Sequence, residues 1–162
     1  MVGYSLRVPG FNALVVGLLL LQGAPARSSG LMTEKRTAEI VNSGSTNAPG
    51  YQISVDESGH VKYTPGKRRN AVGFQEPEHE IEAVIAPEMV KRFFADIDRA
   101  GPLSKLPAGH CMKSASFGTV TFVKMGGEQS PDISCPDSDP RIEALYKDAQ
   151  AIRDAIKTAH SK

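Results

Sequence analysis

Between residues 51 and 63 the chain alternates apolar and polar side chains with a break in the middle. Tyr51, Ile53 and Val55 alternate with Gln52, Ser54 and Asp56. After Asp56-Glu57-Ser58-Gly59 the pattern resumes with Val61 and Tyr63. A period of two over so many residues commits this stretch to strands with one buried face. A four-residue polar break holding a glycine makes the two strands a hairpin. Whatever else the chain does, it must cover that apolar face.

Two helical patterns can cover it. Pro87 opens the first, at a position where its missing N–H costs nothing. Val90, Phe93, Phe94 and Ile97 recur at i, i+3, i+4 and i+7, which is one helical face. Gly101-Pro102 ends that helix. The second is capped by Asp137-Ser138-Asp139-Pro140 and carries Ile142, Leu145, Ala149, Ile152 and Ile156. Between them, Ser116 to Met125 and Glu128 to Ile133 flank Gly126-Gly127 as a second hairpin, with Pro131 weakening the return strand. A further strand is expected from Glu78 to Ile85, placing Glu78, Glu80 and Glu82 on its solvent face. The expected fold is α+β: an antiparallel sheet of about four to five strands, built from two hairpins, with two amphipathic helices packed on one face.

The first thirty residues address the compartment. Arg7 is the only charge before Arg27, and an apolar run from Phe11 to Leu21 leads into Gln22-Gly23-Ala24-Pro25-Ala26. These are the parts of a secretory signal peptide, with cleavage expected after Ala26 and Ala24 as the second choice. Pro9, Gly10 and Asn12 interrupt the run before the roughly twenty apolar residues a membrane span needs. Residues 1–26 are therefore read as signal peptide, 27–50 as a flexible leader of loop composition, and 51–160 as one domain. The expected product is exported, periplasmic or secreted, with no stable membrane anchor after cleavage.

The full chain carries a formal charge of +1, and removing Arg7 leaves none. That balance gives no electrostatic reason to expect nucleic acid as a partner. Roughly 136 residues would remain, enough for one domain with a real core. The chain has no tryptophan, so that core rests on Val, Ile, Leu, Met and Phe.

Only two cysteines occur, Cys111 and Cys135. In an exported chain the expected fate is a disulfide. If Gly126-Gly127 is the turn, Cys135 falls opposite Gly118. Cys111 can then be reached only if Pro107 to Lys113 folds back as a loop beside the hairpin base. The spacing is not C-x-x-C, and adjacency of His110 to Cys111 does not activate a thiol on alternating backbone. His60, His79, His110 and His160 are scattered, so neither a metal site nor any cofactor is expected.

Lys67, Arg68 and Arg69 form the one basic triplet. With His110 they are the candidate binding residues, on loops 67–70 and 102–110. No serine lies in a G-x-S-x-G elbow, and no catalytic residue is assigned. The run from Gly101-Pro102-Leu103 through Cys111, Phe117-Gly118 and Ser130-Pro131-Asp132 to Cys135, with its terminal helix, resembles a family of exported bacterial proteins without assigned function. The resemblance covers about residues 51–158 and implies a periplasmic or secreted α+β domain. The expected role is non-enzymatic, binding a protein or a cell-envelope component, or structural in the envelope. The alternative is a small envelope hydrolase using His79 or His110 with a nearby carboxylate.

Overall fold

The computed structural model describes residues 35–66, 79–135 and 139–160, all within one compact unit. The strands are β1 (Thr37–Asn42), β2 (Tyr51–Asp56), β3 (His60–Pro65), β4 (Ile81–Val84), β5 (Thr121–Met125) and β6 (Glu128–Gln129). The helices are α1 (Pro87–Ala100) and α2 (Pro140–His160), with a short 3-10 turn at Leu103–Lys105. One six-stranded sheet runs in the order β4-β3-β2-β1-β5-β6, and every neighbouring pair is antiparallel. The α+β class is as expected, with one strand more than the upper bound.

The extra strand is β1, which the sequence reading places inside the 27–50 leader. It is instead an interior strand, paired on one side with β2 and on the other with β5. Of its residues only Ala38 and Ile40 are buried, both at 0 % exposure, and the third on that face is the polar Asn42, so its apolar signal is two residues long. The polar stretch after it is an ordered connection. Gly44 has φ 64°, and a Cβ there would lie 2.4 Å from the Gly50 backbone nitrogen. Only glycine permits that approach.

Other strands are shorter than expected. The fourth begins at Ile81 and ends at Val84, and the hairpin at Gly126-Gly127 pairs only Lys124 with Gln129 and Met125 with Glu128. Pro131 follows two residues after β6, and a proline cannot extend a ladder that needs its N–H. The β2–β3 hairpin turns where expected. Gly59 takes φ 90°, and the Asp56 carboxylate accepts hydrogen bonds from Ser58 N, Ser58 Oγ and His60 N.

Both helices bury the faces their spacing requires. Val90, Phe93, Phe94 and Ile97 of α1, and Ile142, Leu145, Ala149, Ile152 and Ile156 of α2, are all buried. They join the inward residues of the sheet in one core, where Ile40, Ile53, Tyr63, Phe93, Leu145 and Ile152 are all at 0 % exposure. Burying a side chain of this size contributes about 1.5–3 kcal/mol. Asp139 starts α2, accepting from Arg141 N through its side chain and from Ile142 N and Glu143 N through its carbonyl. The opposite sheet face, uncovered by either helix, is mostly polar, with Val41, Phe122 and Val84 as its apolar members. Along it Lys62 pairs with Glu80 at 3.1 Å, and Thr37, Ser54, Asp56, His60 and Val84 border a shallow depression of about 430 Å³. Among the described residues no helix is long and apolar enough to cross a membrane.

Candidate functional site

Residues 107–120, between the 3-10 turn and β5, contain no strand or helix, yet they are held at both ends and in the middle. Leu103 and Leu106 are buried and fix the entry. Cys111 and Cys135 form a disulfide with their Cα atoms 5.6 Å apart. Pro107 to Lys113 does fold back beside the hairpin base, because Ile133 N donates to Thr121 O and carries the segment after β6 alongside β5. Cys135 is buried, whereas Cys111 is exposed.

Two residues beyond Cys111, Lys113 directs its ammonium at three acceptors. It donates to the Thr119 carbonyl at 2.6 Å, to Ser134 Oγ at 2.8 Å and to the Asp132 carboxylate. Asp132 Oδ1 also accepts from Thr121 N and Ser134 N, each at 3.0 Å, and from Ser134 Oγ at 2.6 Å. Partial burial works to raise the Asp132 carboxyl. The Lys113 ammonium and the Thr121 and Ser134 donors overcome it and hold the group below the usual aspartate range. At the far end, Ser116 O accepts from Asn47 N and from Ser45 Oγ, and Ser43 exchanges two hydrogen bonds with Val120. The connection between β1 and β2 thus supports the loop from below.

This node positions backbone. An ammonium has three protons to donate, and all three of Lys113 are engaged, so it is not poised as a nucleophile. Asp132 is held ionised and is no acid donor, and the Ser134 hydroxyl donates to this carboxylate, whose lowered proton affinity makes it a poor base for activating a nucleophile. What the node presents is a fixed loop surface. Met112 is fully exposed and Phe117 is 57 % exposed. Beside them His110, Cys111, Lys113, Asp132 and Cys135 border an open depression of about 440 Å³.

The candidates from sequence fall as follows. Cys111 and Cys135 are joined. His110 lies on the rim of this depression and is exposed. His79 is also exposed but precedes β4, at the opposite edge of the sheet from the disulfide. Four strand intervals separate β4 from β5, roughly 19 Å at the usual spacing, so no common site contains both histidines. Lys67, Arg68, Arg69 and the cleavage position Ala26 lie outside the described residues. Among the described residues no three His, Cys, Asp or Glu side chains gather as a metal site.

Lys113, Asp132 and Ser134 were not singled out from sequence, although a signal existed. Lys113 stands two residues after one cysteine, and Asp132 and Ser134 stand three and one before the other. Once the cysteines pair, these groups must be neighbours. Compared with known proteins, the chain matches no family model and no curated sequence at a significant level.

Proposed function

We propose that this chain is an exported, non-enzymatic binding domain that contacts a protein or a cell-envelope component through the loop 107–120. The observation that carries the reading is the pairing of exposure with fixity: Met112 and Phe117 project from a loop tied down by a disulfide and by the Lys113 node. Isolated exposed apolar residues are ordinary. Two large ones on one immobilised loop are suited to binding, because the loop is ordered before a partner arrives and little entropy is lost on contact. Export is supported by the amino-terminal pattern that ends at Ala26 and by the disulfide, a bond that persists in oxidising compartments.

The test is site-specific photo-crosslinking in cells that make the protein. A photoreactive residue replaces Met112 in the full chain, and the same residue replaces Glu143 on the exposed side of α2 as control. A discrete adduct from position 112, reduced by Phe117→Ser, is the expected result. No adduct, or the same adducts from both positions, would remove the loop as a contact surface.

A further inference from the structure

The seam between α1 and α2 contains two carboxylates that the core does not need. Asp148 of α2 is 2 % exposed and Asp96 of α1 is 8 % exposed. Each has an arginine from α1. Arg92 Nε donates to Asp148 Oδ1 at 2.6 Å, and Arg99 Nη1 donates to Asp96. The arginine side chains are 57 % and 68 % exposed, so the cations sit at the rim while the carboxylates lie beneath it. Asp148 Oδ2 is buried with no donor among the described residues. Asp96 stands one turn beyond Arg92 on the same face of α1, beside the carboxyl that Arg92 holds. Two ionised carboxylates in that position repel each other, whereas one proton between them turns the contact into a hydrogen bond.

We propose that Asp148 keeps a proton on its buried Oδ2 and donates it to Asp96, making the α1–α2 seam a pH-responsive clamp that is tightest in acid. Burial raises the Asp148 carboxyl most; Arg92 opposes, Asp96 adds to the rise, and the outcome is a group held above the usual aspartate range. No other charge offsets this among the described residues. On α2 the side chains one turn away on the same face, Leu145 and Ile152, are apolar and fully buried. Lys147 pairs outward with Glu143. On β4, the strand that α2 touches, Ile81 and Ala83 turn inward, while Glu82 lies on the open sheet face with Lys62. Because the folded state holds this proton more tightly than the unfolded chain, the contribution is fully present below the unfolded value near 3.8. It is lost as pH rises through the higher folded value.

The experiment is a carboxyl carbon-13 NMR titration of the full chain, alongside denaturant midpoints at pH 4 and pH 7. Asp148 is expected to titrate above the ordinary aspartate range. Asp96→Asn, which offers an amide donor in place of a carboxyl, is expected to move that titration down by about one pH unit, a tenfold change in proton affinity. Asp148→Asn is expected to lose less stability between pH 4 and pH 7 than the wild type. An Asp148 carboxyl that titrates at or below the ordinary value would overturn the proposal, as would one indifferent to Asp96→Asn or an Asp148→Asn profile parallel to wild type. The titration of the unaltered chain decides the matter even if a variant does not fold.

Discussion

Lys113 shows how one side chain can organise a loop that lacks regular structure. Its three hydrogen bonds join residues 119, 132 and 134 to the segment that begins at Cys111. Lys113→Met keeps the apolar stem and removes the charge, leaving Asp132 partly buried with only neutral donors. The expected cost is about 1–3 kcal/mol, the penalty for leaving a buried polar group poorly satisfied, read as a lower denaturant midpoint. The pH dependence has a definite sign. Asp132 is held below its ordinary value, so its contribution is present above the unfolded value and lost as pH falls through the depressed folded one. In Lys113→Met that loss should shrink, which a midpoint series from neutral to strongly acid pH would check.

At the scale of elements, the informative contrast is between α1 and β1. The stripe Val90, Phe93, Phe94, Ile97 announces a helix because four large apolar side chains repeat at helical spacing, with Pro87 before them and Gly101 after. In β1 the inward apolar positions are Ala38 and Ile40 alone, and alanine carries almost no strand preference. What makes β1 a strand is pairing on both sides, with residues 51–56 and 121–125, a tertiary effect invisible in its own six residues. Asp148 is a different case. It lies three residues after Leu145 and four before Ile152, on the buried stripe itself, a spacing signal not used in the sequence analysis. The disulfide was legible because only two cysteines exist. The Lys113 node followed from that pairing but required following it outward by a few residues. Ile40→Ala measures how much β1 contributes: removing a fully buried side chain from an interior strand should cost about 2–5 kcal/mol, seen in equilibrium denaturation. A change below about 1 kcal/mol would place β1 outside the cooperative unit.

For the whole molecule, ionisable groups pull stability in opposite directions. Partial burial works to raise the Asp56 carboxyl, but hydrogen bonds from Lys35, Ser58 and His60 outweigh it and hold it at about 2. Asp132 is likewise depressed, so both contributions fade only in strong acid. The proposed clamp at Asp148 works the other way and fades as pH rises through the raised Asp148 value. Stability is therefore expected to fall in strong acid, as the depressed carboxylates take up protons, and to lose the clamp's contribution as pH rises through the raised Asp148 value. A denaturant midpoint that stays level into strong acid would contradict the first of these expectations.

The position of β1 also sets an order of assembly. Strands β1 to β4 follow one another across the sheet just as they do along the chain, so a nascent chain can zip this meander from local contacts. The neighbour on the other side of β1 is β5, and Ala38 meets Met125 there. That pairing closes a loop of most of the domain and must wait until the helix and the disulfide-bearing loop have been made. Such long-range closure is slow compared with hairpin formation. Throughout that wait the growing sheet presents β1 as an open edge, the kind that recruits a strand from another molecule. A chain built this way needs to be kept apart from its own copies until its last third is available.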